Sequence, residues 1–183
     1  MGTRTRGALA RARVRPSPSL NAKVAPLPSV ASLIRELNSS GIALPPGPVR
    51  VDGYGDSEAL SESLLALIRS GRKRAGTGLL WAYEYDGEKT SRTGDIEIVI
   101  DHFNLPVFVT RITSAWVVPY VEVTAEYAAI EGEGDGSLEC WRTAHWAFFS
   151  RECERIGREA SESMPVVCSM FEVLNVVPPK SAA

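Results

Sequence analysis

The chain contains little of what metal enzymes and secreted proteins require. It has two histidines and three cysteines in 183 residues, and Cys140, Cys153 and Cys168 form no C-x-x-C pair. An odd number of widely spaced cysteines fits neither a disulfide framework nor a zinc ribbon. Two histidines without metal-ligand spacing argue against a zinc hydrolase. We therefore expect a reducing, cytoplasmic location, with no metal and no cofactor.

Long apolar runs and glycine-rich nucleotide motifs are also missing. No apolar stretch approaches the roughly 18 residues that indicate a membrane helix. The motifs G-x-S-x-G, P-loop and G-x-G-x-x-G do not occur. The glycine-rich stretch from Gly132 to Gly136 lacks the lysine and the preceding strand that a phosphate-binding loop needs. We therefore expect no membrane partner and none of these enzyme classes.

What is present is an ordinary globular composition with an uneven charge distribution. Hydrophobic residues make up 44% and charged residues 23% of a chain whose net charge is −2, which suits one domain with a real core. Residues 1–26 carry six basic and no acidic side chains, so the remainder is at −8. This basic arm could tether RNA, act as a transit peptide or be an inert extension. We predict a disordered basic arm (1–28), a short helix with a Pro-rich linker (29–52), one domain (53–177) and a tail (178–183).

Capping residues and hydrophobic periodicity predict the elements of this domain. Helices are expected after Ser29, after Asp56 or Ser57, after Thr124 and after Ser137, each with an apolar face or a capping side chain. Strands are expected at Leu79–Tyr85, Ile96–Ile100, Val107–Val118 and Val166–Val177. The domain order αβββααβ predicts an α+β fold with a small, partly closed β-barrel and helices packed around it.

Two charged segments are candidates for chemistry. Gly71-Arg72-Lys73-Arg74 follows a predicted helix, where three cations either complement the helix dipole or form an anion site. Another predicted helix ends in an acidic segment with Glu131, Glu133 and Asp135. Local electrostatics disfavours this arrangement, because a helix C-terminus carries the negative end of the helix dipole. That loop is either a hydrated acidic surface or part of a functional site, and its spacing does not match a calcium loop. His145 shares a helical face with Trp141 and Phe149, which favours a core position.

Four stretches in this order resemble one family. They are Tyr54-Gly55-Asp56, Gly71-Arg72-Lys73 with Thr77-Gly78-Leu79-Leu80-Trp81, Glu131-Gly-Glu-Gly-Asp135, and Trp141-Arg142-x-x-His145-Trp-x-Phe-Phe149. Together they resemble the ASCH domain, a relative of the PUA-like RNA-binding barrels, and in particular its longer bacterial branch. The resemblance covers residues 53 to 175.

The resemblance implies a β-barrel with a cleft where the lysine turn faces the acidic loop, and RNA, nucleosides or nucleotides as ligands. Family activities include ribonuclease action and removal of the acetyl group from N4-acetylcytidine. The amidohydrolases use a lysine, a threonine three positions later and a distant glutamate. Lys73 and Glu131 match the first and the last, whereas Gly76 and Gly78 stand at the family's threonine and arginine positions.

We therefore expect an RNA- or nucleotide-binding domain, with metal-independent RNA cleavage as its candidate activity. The alternatives are an amidohydrolase acting on an N4-acylated cytidine and a non-catalytic interaction module; the oligomeric state stays open. The expected catalytic residues are Lys73, Glu131 and Thr77. Ligand contacts are expected from Tyr54, Arg72, Arg74, Trp81, Glu133, Asp135 and Arg142.

Overall fold

A five-stranded sheet, curled into a half-barrel, forms the centre of the molecule. The computed structural model describes residues 27–178, so the predicted arm up to residue 26 and the tail from residue 179 lie outside the described residues. The strand order is β1-β3-β4-β5-β2, with β1 parallel to β3 and the other pairs antiparallel. The strands are β1 (Val49–Gly53), β2 (Ala75–Leu79), β3 (Ile96–Ile100), β4 (Pro106–Pro119) and β5 (Pro165–Val176).

Five α-helices surround this sheet, and the predicted α+β class is confirmed. The cap predictions at Ser57, Thr124 and Ser137 are also confirmed, because each side chain accepts a hydrogen bond from a backbone N–H in the first helical turn. No helix within residues 27–178 combines the length and the apolar character needed to cross a membrane. The helices are α1 (Val30–Ser39), α2 (Glu58–Arg69), α3 (Leu80–Asp86), α4 (Ala125–Glu131) and α5 (Leu138–Arg155).

The predicted strand at Leu79–Tyr85 is wrong. A strand ends at Leu79, and α3 begins with the next residue and ends at Gly87, whose φ of +66° suits a helix C-cap. The aromatic residues that favour a strand locally instead pack as a helix, with Ala82 and Tyr83 buried. Tertiary packing thus overrides β-propensity here, since that propensity mostly reflects context.

Residues 29–52 contain more of the core than a linker would. Leu33 and Leu37 of α1 are buried against Val51 of β1 and the isoleucines of β3. Because β1 pairs in register with β3 from Val49 to Gly53, the expected domain start at residue 53 falls at the end of a core strand. This strand has no clear signal in the sequence, because three prolines and a glycine (residues 45–48) directly precede it.

Truncating Leu37 tests whether α1 belongs to the core. This side chain is fully buried (0% exposed), so Leu37→Ala is expected to destabilise the fold by about 2–5 kcal/mol through lost burial and a cavity. Urea denaturation of Leu37→Ala and of Asn38→Ala, an exposed neighbour on the same helix, measures the difference. Equal stability of the two variants would show that α1 is dispensable.

The two faces of β3 pack against different helices. Ile96, Ile98 and Ile100 contact the α1 cluster, whereas Val99 packs with Leu65 and Ile68 of α2. Since side chains alternate along a strand, α1 and α2 cover opposite faces of the sheet. Glu97 therefore points to the same face as α2, toward the inside of the half-barrel.

Candidate functional site

A buried lysine lies in the turn between α2 and β2. Gly71 turns the chain with a φ of +84°, and the backbone N–H of Lys73 donates to the Leu67 carbonyl at 3.0 Å. The Arg74 guanidinium caps the same turn, donating at 2.9 Å to the carbonyls of Ile68 and Lys73. Lys73 is held with its side chain inward and 0% exposed.

Two carboxylates, one at the end of α4 and one in the loop that follows it, face this lysine. Lys73 Nζ lies 3.3 Å from Glu131 Oε1 and 2.5 Å from Glu133 Oε1. Glu131 is 1% exposed, and its other oxygen accepts hydrogen bonds from Thr77 Oγ1 at 2.8 Å and Trp141 Nε1 at 2.6 Å. We call Lys73, Thr77, Glu131 and Glu133 the charged cluster.

The charged cluster compensates the unfavourable position of Glu131. A carboxylate at a helix C-terminus faces the negative end of the helix dipole. Burial by itself would raise the pKa of Glu131, but nearby Lys73 and His145 outweigh it and hold that pKa below its ordinary value. Burial would lower the pKa of Lys73, yet the charges of Glu131 and Glu133 raise it. Both members of the buried pair are therefore charged at neutral pH.

His145 joins the charged cluster from α5. It is buried and its ring stacks on Trp141 with centroids 4.2 Å apart, as expected for a core residue. Its Nδ1 donates to the Trp141 carbonyl at 3.0 Å, since a carbonyl only accepts, and its Nε2 lies 3.5 Å from Glu131 Oε1. His145 thus belongs to both the core and the site, a role that helical periodicity could not distinguish.

A cavity of about 290 Å³ opens in front of the charged cluster. Its size is at the lower end of small-molecule pockets. Tyr54 and Phe148 contribute aromatic walls, and the Lys73 ammonium lies 5.2 Å from the centre of the Tyr54 ring. The carboxylates that line it outnumber the cations Lys73, Arg151 and Arg155; they are Asp52, Asp56, Asp86, Glu88, Glu131, Glu133 and Glu152.

Two arginines of α5 form ion pairs at the rim of the cavity and connect this helix to the loop before α2 and to α3. Arg151 NH2 lies 2.7 Å from Asp56 Oδ2 in the loop before α2. Arg155 donates through both terminal nitrogens to Asp86 at the end of α3, at 3.1 and 2.9 Å. These arginines lie on one face of α5 one turn apart, but the sequence offers no signal for their distant partners.

The structure brings together half of the residues expected at the site. Lys73, Glu131, Thr77, Tyr54 and Glu133 all line the cavity. The other five do not line it and have local roles. Arg74 caps a turn, Arg72 donates to the Gly134 carbonyl, Asp135 accepts from Ser137 N–H, Arg142 donates to the Val121 carbonyl, and the Trp81 ring lies 4.6 Å from the Arg158 guanidinium.

Thr77 and Gly76 point to opposite sides of β2. Thr77 Oγ1 reaches Glu131, whereas a Cβ on Gly76 would lie 3.2 Å from the Tyr54 ring. A Cβ on Gly78 would come within 2.7 Å of the Tyr83 ring. The rings of Tyr54 and Tyr83 therefore occupy the space beside these two glycines. The hydroxyl nearest to Glu131 on this strand belongs to Thr77.

A second polar group lies behind Asp52 and Ser91, two residues that line the cavity. Arg50, Glu97 and Thr110 are paired side by side across β1, β3 and β4. Arg50 Nε lies 3.4 Å from Glu97 Oε1, and Thr110 Oγ1 donates to Glu97 Oε2 at 3.3 Å. Burial, with a smaller contribution from Asp52, raises the pKa of Glu97 to about 8 despite the neighbouring Arg50.

This raised pKa predicts a stability that falls with pH. Between the ordinary carboxyl pKa and about 8 the folded state keeps a proton on Glu97 that the unfolded chain has lost. Stability then decreases as pH rises, by at most about 1.4 kcal/mol per pH unit. Glu97→Gln, which cannot ionise, should therefore gain stability relative to wild type from pH 5 to pH 9.

Urea denaturation at pH 5, 7 and 9 measures this difference. Glu172→Gln is the matched control, because Glu172 is exposed on β5 with 52% of its side chain accessible. Its stability relative to wild type should vary little with pH. Parallel curves for wild type and Glu97→Gln would contradict a buried, protonated Glu97.

No group of three or more histidine, cysteine, aspartate or glutamate side chains within residues 27–178 is arranged to hold a metal ion. The charged cluster presents an ammonium and two carboxylates that contact each other. Its chemistry is that of a fixed cation, a fixed anion and a hydroxyl within hydrogen-bond reach of that anion.

Comparisons with known proteins agree on one family. The family model of the ASCH domain matches residues 51–175. An ASCH domain from Lactobacillus crispatus, known from a crystal structure, has a sequence 34% identical to this chain and a fold that matches it with a TM-score of 0.66. The similarity covers 78% of this chain and 87% of that one. A protein from Enterococcus faecalis is 26% identical, with the same TM-score, over 78% and 85% of the two chains. No curated protein sequence gives a significant match. The matched range runs from β1 into β5 and contains the whole charged cluster.

Proposed function

Because this chain belongs to the ASCH domain family, which is associated with RNA binding, we propose that its cavity binds one base of an RNA or a free nucleoside. The buried Lys73–Glu131 pair beside that cavity carries the proposal. Burying an ion pair seldom stabilises a fold more than packed apolar side chains would. A pair kept at 0% and 1% exposure next to an open cavity is better explained by a ligand.

The lining of the cavity supports a base rather than a phosphate as the group that enters. Seven carboxylates and three cations line it, so a phosphate would meet net repulsion. A base is uncharged, and Tyr54 and Phe148 offer aromatic faces for stacking, which contributes about 1–3 kcal/mol per base in proteins that bind single-stranded nucleic acids. The sugar-phosphate chain of an RNA would then remain outside.

Hydrolysis of an amide on the bound base is a second candidate function. Thr77 Oγ1 donates to Glu131 Oε2 at 2.8 Å, which is the distance expected between a nucleophile and its base. Lys73 could stabilise the negative charge that develops on the attacked carbonyl. RNA cleavage with Glu131 as base receives less support, because the carboxylate-rich cavity disfavours the phosphate that would have to approach Glu131.

Direct binding measurements test the proposed function. Calorimetry with cytidine, uridine, adenosine and guanosine, and fluorescence anisotropy with a labelled single-stranded RNA of mixed sequence, should detect binding to the full chain. The same samples, incubated with N4-acetylcytidine and with unlabelled RNA and separated by chromatography, report deacetylation or cleavage.

Variants connect that binding to the cavity. Lys73→Met should lose binding, whereas Lys89→Met, which removes an exposed lysine outside the cavity, should retain it. Wild-type protein that binds neither RNA nor any nucleoside would overturn the proposal and favour an interaction module. Processing of N4-acetylcytidine that disappears in Thr77→Val would support the second function.

A further inference from the structure

The planar guanidinium of Arg50 lies behind two residues of the cavity wall, Ser91 and Asp52. Arg50 NH1 donates to Ser91 Oγ at 3.0 Å, and Arg50 NH2 lies 4.0 Å from Asp52 Oδ2. Ser91 and Asp52 both line the cavity that the charged cluster faces. We call these three residues the Arg50 fork.

The fork is fixed from behind. Glu97 of β3, which is 1% exposed, lies 3.4 Å from Arg50 Nε and accepts a hydrogen bond from the fully buried Thr110 of β4. The two terminal nitrogens of a guanidinium lie in one plane on one carbon. Ser91 Oγ and Asp52 Oδ2 are therefore placed next to each other on the cavity wall.

The two oxygens differ in what they can offer a ligand. An ionised carboxylate only accepts hydrogen bonds, whereas a hydroxyl that accepts from Arg50 still has its own hydrogen to donate. Arg50 NH1 donates to Ser91 Oγ and NH2 lies 4.0 Å from Asp52 Oδ2, and Arg50 itself does not line the cavity, so Ser91 and Asp52 are the groups that face a ligand. Asp86 and Glu88 add further carboxylates to the lining.

We propose that the Arg50 fork is a specificity site that selects ligands with an amino group beside a ring nitrogen and rejects those with a carbonyl group in its place. The amino group donates to Asp52, and the ring nitrogen accepts from the Ser91 hydroxyl. A carbonyl oxygen at that position faces carboxylates instead. A buried polar site rejects a ligand that leaves its groups unpaired. This inference rests on the proposed function, since it concerns the ligand of the same cavity.

Two pairs of nucleosides isolate this single difference. Adenosine and inosine, and cytidine and uridine, each exchange an amino group beside a ring acceptor for a carbonyl group beside a ring N–H. Calorimetry with the full wild-type chain should show at least about tenfold tighter binding of the amino member of each pair, as expected for one correctly paired polar group.

Variants of the fork should change this preference without abolishing binding. Asp52→Asn introduces an amide N–H that can donate to a carbonyl oxygen, so the amino preference should fall to about one or reverse. Ser91→Ala should weaken the amino members by about 5–10-fold, the scale of one hydrogen bond. Glu62→Gln removes an exposed carboxylate outside this cavity and should leave the ratios unchanged. Circular dichroism and melting curves verify that each variant is folded.

The outcomes separate this inference from the proposed function. Wild-type protein that binds both members of each pair equally overturns the specificity site and leaves nucleoside binding standing. If folded Asp52→Asn still binds adenosine and cytidine more tightly than inosine and uridine, other residues recognise the amino group, and the specificity site is also overturned. Absence of binding to all nucleosides and to RNA overturns the proposed function, and the inference with it.

Discussion

Replacing Glu131 by glutamine is expected to weaken ligand binding by at least about 100-fold and to destabilise the fold by about 1.5–3 kcal/mol. The variant leaves the fully buried Lys73 with a neutral amide in place of the carboxylate that lies 3.3 Å from its Nζ. Lys73 keeps Glu133, 2.5 Å from its Nζ, as its remaining counter-charge, but a buried ammonium that loses one of its two carboxylates is less well compensated for its burial. Thr77 and Trp141 also lose a charged acceptor. Urea denaturation and nucleoside calorimetry measure the two effects separately.

The double variant Lys73→Met/Glu131→Gln separates folding from binding. Removing both charges leaves neither a lysine short of a carboxylate nor a buried Glu131 without its ammonium, so the double variant should lose less stability than the sum of the two single losses. Its nucleoside affinity should remain as low as that of Glu131→Gln, because the groups that face the ligand are gone. Full binding in the folded double variant would place the ligand site elsewhere. Strictly additive stability losses would show that Lys73 and Glu131 are not coupled.

Substituting alanine for Gly132 is expected to destabilise the fold by roughly 3 kcal/mol or more and to weaken ligand binding with it. Gly132 has a φ of +70°, and a Cβ there would lie 2.5 Å from the Arg72 carbonyl oxygen. The loop that contains Gly132 and the turn that contains Arg72 touch at this backbone contact. The contact brings Glu131 and Glu133 to Lys73. A Cβ would push the two segments apart. Thermal and urea denaturation measure the cost.

Gly136 in the same loop supplies the matched control. Its φ of +83° carries a similar backbone strain for alanine, but no atom lies within 4 Å of a Cβ built there. Gly136→Ala should therefore cost only about 1 kcal/mol and keep nucleoside affinity. The difference in stability between Gly132→Ala and Gly136→Ala therefore measures the cost of the close backbone contact, separately from the cost of a positive φ. Equal costs would show that the contact between loop and turn does not hold the charged cluster together.

The sequence by itself determined the locally encoded elements. Ser57, Thr124 and Ser137 predicted three helix starts, and all three cap their helices as expected. Alternating and continuous apolar runs predicted β3, β4 and β5. These signals act within one helical turn or along one strand, so they can be recognised from the sequence alone. The order of the motifs also indicated the ASCH family, which the family match over residues 51–175 confirms.

Local propensity was insufficient where tertiary packing selects the structure. The aromatic segment after Leu79 folds as α3 because it packs against the sheet and α5. β1, hidden behind a Pro-rich stretch, is specified by its parallel pairing with β3, more than 40 residues away in sequence. Pairing of distant strands leaves no periodic signal inside the strand that pairs.

Only the tertiary structure decided which charged residues form the site. Arg74 and Asp135 resemble Lys73 and Glu133 in sequence, yet Arg74 caps a turn and Asp135 accepts a hydrogen bond from the backbone N–H of Ser137. Lys73 and Glu133 instead meet across 60 residues. His145 contributes to the cavity as well as the core, and the Arg50 fork uses residues 41 positions apart. Composition and spacing determine which charges a chain carries and how each helix ends. The pairing of those charges depends on which segments the half-barrel brings together, because a buried charge is retained where the fold supplies its partner.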